Sequence, residues 1–420
     1  MNKKASEETN NSNKLCRFCR TPLKETFVNL GLSPLANAYR KKEELQLAEQ
    51  FYPLHVFVCS NCLLVQLEEI ESPLEIFSEY LYFSSFSSSW LEHAARFAGD
   101  AVKRFGLDDQ KLVIEFGSND GYLLRYFKEA GVKVLGIEPA ENVAAVARRN
   151  GIDTVADFFG SALAAELTGR GLKADLIVGN NVIAHIPNTN DLIQGLKTVL
   201  NEGGVISLEF PHLLSLIEEN QFDTIYHEHY SYYSLYTMEK IMAAHGLHLF
   251  DAELLQTHGG SLRVFACHSG DERHKRCERV KDILLLEEKN GLMNMATYAA
   301  FAEKTRRVKR DILKFMIGLK EEGCSIAAYG APAKGNTLLN YCGIGTDFID
   351  YTVDLSPHKQ GLYLPGSRIP IYGPEKIFET RPDYLVILPW NLKAEIMEQM
   401  AGIRDWGGKF VTLIPGVDTA

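Results

Sequence analysis

The chain has 420 residues, 46% hydrophobic and 23% charged, with a formal net charge of −10 and no long block of like charge. That length suits two or three globular domains, and that charge argues against an extended surface for nucleic-acid phosphates or anionic lipid. No apolar run approaches the ~20 residues of a membrane helix, and the polar start over 1–13 lacks the apolar core of a secretory signal, so a cytoplasmic protein with a disordered tail is expected.

Four of the eight cysteines come in two knuckles, "CRFC" (Cys16, Cys19) and "CSNC" (Cys59, Cys62). Each C-x-x-C aims two thiolates at one point, and two such pairs complete a closed tetrahedral zinc site. A redox dithiol needs only one such motif, and a disulfide pair is out of place in the cytosol. The 39 residues between the knuckles exceed a compact finger, so a small zinc-stapled domain over 14–70 is expected. With nine Lys/Arg against eight Asp/Glu through residue 70, it offers no basic face for nucleic acid.

After the polar helical stretch "SSSWLEHAARFAGDAVKRFG", apolar strands alternate with helices: "KLVIEF", "VKVLGIEPA", "IDTVADFF", "ADLIVGNNVIAHI" and "GGVISLEFP" are read as strands. Repeated β-α-β units imply a mainly parallel sheet covered on both faces, with ligands outside the carboxyl ends of its strands. The first turn, "EFGSNDG", lacks the G-x-G-x-x-G of dinucleotide sites and begins with the acid Glu115. A pyrophosphate would be repelled there; a ligand carrying an ammonium and a sulfonium would be attracted. Gly117 and Gly121 allow close approach of backbone, with Ser118 and Asn119 between them. Glu138, followed by Pro139, ends the second strand where a carboxylate accepts ribose hydroxyls. Asp157 is positioned to meet an adenine amino group, and Phe158 and Phe159 its ring. Together these describe S-adenosylmethionine (SAM). Asn180 and Asn181 contact the methionine carboxylate or substrate on one reading and make a turn on another.

The combination of "CRFC" and "CSNC", "EFGSNDGYLL", "GNNVIAHIPN", "YHEHYSYYSL" and "YGAPAKGN" resembles the class I SAM-dependent methyltransferases, and within them the zinc-containing sugar 3-C-methyltransferases of deoxysugar biosynthesis. The resemblance spans nearly the whole chain. It implies an amino-terminal zinc domain, a central Rossmann-like SAM domain and a second, smaller Rossmann-like α/β domain. It also implies methylation of C3 of a nucleotide-linked 4-keto sugar. Carbon beside a ketone becomes nucleophilic only after losing a proton, which requires a base poised near neutral pH and donors around the oxygen. The resemblance makes His229 that base, Tyr226 a donor toward the sugar or its enolate, and Glu228 a partner that orients or polarises a neighbour. His185 faces the same crevice, to hold the keto oxygen or carry proton traffic, and Tyr80 or Tyr82 closes the pocket. Read without the resemblance, "YHEHY" also suits metal ligands or an amphipathic strand packed on the core; His227 is read as structural.

"GGSLRVFACHSG" reads as a strand leaving the SAM domain (71–270), followed by a helical connector (271–322) interrupted by a glycine. A second α/β unit (323–420) then restarts with "CSIAAYGAPAKGN" and continues through "IDYTVDLSPHKQG", "DYLVILPWNL" and "KFVTLIP". Lys334 and Asn336 lie at a helix start suited to an anion such as a nucleotide diphosphate, and Asp354 stands where a ribose acceptor would. The alternative is that this domain only docks and stiffens the assembly. The expected activity is SAM-dependent C-methylation of a dTDP-type keto sugar by a monomer with structural zinc. The rival activities are O- or N-methylation and a non-catalytic zinc-ribbon binding protein.

Overall fold

The computed structural model describes residues 14–71, 85 and 88–420. The expected tail and both Tyr80 and Tyr82 lie outside the described residues. Three sheets organise the rest.

The first is built from β1 (Glu25–Ser33), β2 (Tyr52–Val58) and β3 (Val65–Leu67), paired antiparallel in sequence order. The second holds β4 (Leu112–Phe116), β5 (Lys133–Ile137), β6 (Thr154–Val155), β7 (Ala174–Asn180) and β8 (Leu200–Pro211), all mutually parallel. β9 (Ser231–Tyr232) then leaves that unit and adds itself to β3 as the fourth strand of the first sheet. β10 (Leu247–Leu255) and β11 (Ser261–His268) return to close the second sheet, with β11 antiparallel to β8, in the order β10-β11-β8-β7-β4-β5-β6. The order reverses beside β4, which opens a crevice at its carboxyl end. "IDTVADFF" forms only the two residues of β6, because Asp157 and Phe158 turn out to solvent. β10 was not anticipated as a strand at all.

The third sheet runs β14-β13-β12-β15-β16-β17, from β12 (Ile326–Tyr329), β13 (Thr352–Val353), β14 (Ile371–Tyr372), β15 (Tyr384–Ile387), β16 (Lys409–Thr412) and β17 (Asp418–Thr419). It is parallel apart from β17. β14 and β17 are additions to the four strands expected; two residues are too few to show a period.

Four helices matter for the site. α1 (Ser88–Phe105) precedes the central sheet. The connector divides into α2 (Glu278–Lys289) and α3 (Met295–Glu321) at Gly291, whose φ of +82° suits glycine. α4 (Ala333–Cys342) opens the third unit.

α3 is the spine between units. Phe27 of β1 stacks on Phe301 at 4.4 Å, and the same apolar cluster continues through Ile312 and Met316 into Ile326, Leu338 and Val386. Emptying the Phe301 position would cost about 3–5 kcal/mol. The zinc knuckles join a different core: Cys16, Cys59 and Cys62 pack with Ile177, Ile206 and Met238 of the central unit. The amino-terminal sheet is thus fastened to both α/β units.

Candidate active site

At the carboxyl ends of β4 and β7 stand polar atoms that the described residues do not satisfy. Both carboxylate oxygens of Glu115, together with Ser118 Oγ, Asp120 Oδ1, Asn180 Oδ1 and both amide atoms of Asn181, are buried without a hydrogen-bond partner among the described residues. Buried polar groups are normally paired, so such a cluster marks a place for a ligand. Burial, reinforced by Asp120 and Glu138, pushes the Glu115 carboxyl well above the usual range; an incoming ammonium or sulfonium would relieve that cost.

Gly117 has φ +64°, and a Cβ there would meet Val182 at 2.5 Å; Gly121 has φ +81° and faces Ile152 at 2.9 Å. Asn119 also adopts a positive φ, of 50°. Glu138 is held by Asn119 N–H and Ala140 N–H, each at 3.0 Å, and each carboxylate oxygen has lone-pair capacity beyond these bonds for a diol. Pro139 sits between these anchors. Asp157 accepts from the Phe158 N–H at 2.7 Å at the surface, and Phe158 is 41% exposed. Phe159, expected over an adenine, instead stacks on Phe116 in the core, 5.5 Å between centroids.

The residues Tyr226–His229 form a tight turn, closed by His229 N–H donating to Tyr226 O at 2.9 Å, not an extended strand. The turn brings Tyr226 and His229 together and sends His227 to the first sheet, where it lies 3.3 Å from the Pro53 carbonyl. His229 Nδ1 lies 2.8 Å from the Thr224 carbonyl. A carbonyl only accepts, so Nδ1 carries the proton and Nε2 is the acceptor, here for the Tyr226 hydroxyl at 2.8 Å. Burial, then the His185 ring 4.7 Å away, holds the His229 pKa well below its ordinary value. Burial likewise pushes His185 down to about 4. Both imidazoles are therefore neutral at pH 7.

Glu228 is buried, and both its oxygens face the Asn37 amide at 2.8 and 2.9 Å. Burial raises its carboxyl to about 7. Of the motif's other tyrosines, Tyr230, Tyr232 and Tyr233 are buried and pack in the interior.

Lys334 reaches the same crevice from α4. Its ammonium donates to Asn391 at 2.8 Å, lies 4.7 Å from the Trp390 ring centre and is lowered in pKa by burial, against the favourable charge of Asp223. Asn336 is fully buried: its amide N–H donates to the Ala36 carbonyl at 2.7 Å, a contact between units, while its Oδ1 has no hydrogen-bond partner among the described residues. Asp354 is likewise engaged by the chain, accepting from Ala331 N–H and Ser356 N–H at 2.8 Å each.

Three groups at the crevice were not foreseen. Asp223 accepts from Trp390 Nε1 at 2.7 Å, has an Oδ1 buried without a partner among the described residues and is raised to about 6 by burial. His258 holds a strained φ of 53° beside Trp90, with ring centres 5.0 Å apart. Asn37 anchors Glu228. The only sequence hint was the dipeptide Gly259-Gly260 after His258.

The four cysteines fit a metal. Thiolates around tetrahedral zinc stand ~3.8 Å apart at the usual ~2.3 Å bond length. The four Sγ atoms all lie within 4.8 Å of one another, with Cys16–Cys62 and Cys19–Cys59 at 3.5 Å.

The family comparisons follow the same division of the chain. A model described as a zinc binding domain matches residues 16–77, a methyltransferase domain matches 90–251, and a C-methyltransferase C-terminal domain matches 256–415. C-methyltransferase NovU of Streptomyces niveus is 37% identical over 400 residues, covering 95% of each chain. The chain belongs to this C-methyltransferase family. It is a SAM-dependent methyltransferase with a zinc-binding amino-terminal domain. The readings as an O- or N-methyltransferase or as a non-catalytic binding protein are set aside by that match. A ubiquinone biosynthesis O-methyltransferase of Hydrogenovibrio crunogenus shares 22% identity over 138 residues, 30% of this chain and 57% of that one. Among solved structures, the magnesium protoporphyrin IX methyltransferase of Synechocystis PCC 6803 with bound SAH is 18% identical, covering 43% of this chain and 83% of that one, with a TM-score of 0.35. At that score the likeness adds nothing to the assignment. Among the described residues, no helix of this methyltransferase is long and apolar enough to cross a membrane.

Proposed function

We propose that this enzyme methylates C3 of a nucleotide-linked 4-keto-deoxysugar, of the dTDP type, by way of an enolate, in the cytoplasm. The observation that carries the reading is the bond from His229 Nδ1–H to the Thr224 carbonyl, which leaves Nε2 unprotonated beside Tyr226. In this reading Nε2 takes the C3 proton, and the Tyr226 hydroxyl donates to the oxygen on which charge develops. His185, ring to ring with His229, serves proton traffic. Glu228, titrating near 7, orients its neighbours while keeping its proton for part of the neutral range. Tyr80 and Tyr82 are the candidates for the remaining wall. When bound, SAM supplies a methyl group on a sulfonium. Glu115, Gly117, Ser118, Asn119, Gly121, Glu138, Pro139 and Asn180 would hold it, with Asp157 and Phe158 near its base. Lys334 supplies a cation for the sugar nucleotide. Zinc takes no part in the transfer.

The test is a panel of thymidine- and guanosine-linked keto sugars incubated with SAM and analysed by mass spectrometry. The reading predicts a product heavier by one methyl on carbon, from a 4-keto sugar alone. A methyl ether as the product would refute it.

A further inference from the structure

Between the zinc ligands Cys16 and Cys19 stands Arg17, and holding a metal requires no guanidinium there. Its Nη1 donates to the Pro187 carbonyl at 2.7 Å and its Nη2 to the Leu67 carbonyl. The group also lies over the Tyr230 ring, 5.6 Å from its centre. Among the described residues, no carboxylate comes within ion-pair distance of it. The backbone here is engaged too: Arg17 N–H donates to Gln66 at 2.9 Å, and Asn190 donates to the carbonyls of Arg17 and Phe18 at 3.2 and 3.0 Å. Gln66 in turn donates to Cys16 Sγ at 3.2 Å.

All of these partners belong to, or lead into, the two loops that carry the imidazoles. Pro187 and Asn190 follow His185. Leu67 N–H donates to the carbonyl of Tyr230, next to His229, at 2.9 Å, and Tyr230 N–H donates to the carbonyl of Ala184, next to His185, at 2.7 Å. The circuit closes through Arg17, which joins Leu67 to Pro187. A planar guanidinium can hold two carbonyls at a set separation, whereas an ammonium acts as a point charge. Four thiolates on one Zn2+ carry a formal charge of about −2, which gives a cation inside the knuckle a second reason to stay.

We infer that Arg17 is a positioning residue that sets the separation of the His185 and His229 loops from inside the metal knuckle, so that the zinc site governs the geometry of the imidazole pair. The consequence for turnover rests on the proposed role of that pair; the consequence for loop protection does not.

The experiment uses the full-length, zinc-loaded protein with Arg17→Met and Arg17→Lys. Zinc is counted by elemental analysis, SAM affinity by calorimetry, and backbone protection by amide hydrogen exchange. Arg17→Met is expected to keep one zinc per chain and a SAM Kd within twofold, while the amides of Leu67 and Tyr230 exchange at least tenfold faster and those of β4 and β7 are unchanged. Turnover with a dTDP-linked 4-keto-6-deoxy sugar should fall at least tenfold with the KM for SAM unmoved, and Arg17→Lys should lie between. Unchanged protection at Leu67 and Tyr230 with zinc in place overturns the inference. Faster exchange with unchanged turnover supports the positioning and overturns the assignment of the imidazole pair. If Arg17→Met loses zinc, Asn190→Ala decides from the loop side: faster exchange at Tyr230 with zinc retained supports the inference, and unchanged exchange overturns it.

Discussion

The two doubly wound sheets of this methyltransferase begin alike and end differently. Each leaves its first strand through a glycine of positive φ, Gly117 in one and Gly330 in the other, and each ends its second strand on an acid, Glu138 or Asp354. Around Glu138 lie buried carboxylate, hydroxyl and amide atoms with no partner among the described residues. Asp354, by contrast, is taken up by Ala331 N–H, Ser356 N–H and Lys359, whose Nζ is 3.8 Å away. Shared topology therefore does not carry a shared ligand: the acid after the second strand stands in a cluster of unsatisfied polar groups in one sheet and is taken up by the chain in the other.

The largest effect expected is at the turn between the sheets. His229→Asn should lower kcat by roughly 10³, within the range of general-base catalysis, with the SAM Kd unchanged by calorimetry. The comparison itself is sharpened by a matched pair. Glu138→Ala should weaken SAM about tenfold or more, as loss of charge-assisted hydrogen bonds does. Asp354→Ala should leave SAM binding intact and lower Tm by a few degrees. A loss of SAM affinity in Asp354→Ala would break the contrast.

Glu228 supplies a pH test. Its folded pKa of about 7 lies above the unfolded carboxylate value, so it favours folding only while protonated. That contribution is full below about pH 4.3 and is lost as pH rises to about 7. Denaturation of Glu228→Gln should therefore show the variant gaining stability on wild type across that window, on the order of 2–3 kcal/mol by its upper end. A constant difference would mean that Glu228 keeps an ordinary pKa. The smallest effect is expected of Lys334→Met: a few-fold rise in KM for the sugar nucleotide, with kcat nearly unchanged, in steady-state assays.

What was legible in the sequence was local. Paired C-x-x-C spacing and an acid-glycine turn after an apolar strand encode their geometry within a few residues. The contacts that join the units around the crevice are not local: Asn37 reaches Glu228 across 191 positions, and Asn336 reaches Ala36 across 300. Nothing local tells that the Asn336 amide meets Ala36: a polar side chain at a helix start has the same composition whether it meets an anion or a neighbouring loop. "YHEHYSYY" mixed two tasks that spacing alone could not separate. The turn at Tyr226–His229 sends two groups to the crevice, while the tyrosines after it fill the interior and β9 extends the first sheet.

The most direct test of the account is the loss of the C3 proton itself. A dTDP-linked 4-keto-deoxysugar, incubated in deuterated water with the wild-type enzyme, should exchange its C3 hydrogen, as followed by proton NMR, and His229→Asn should abolish that exchange. Exchange in the variant at the wild-type rate would contradict the assignment of His229 as the base.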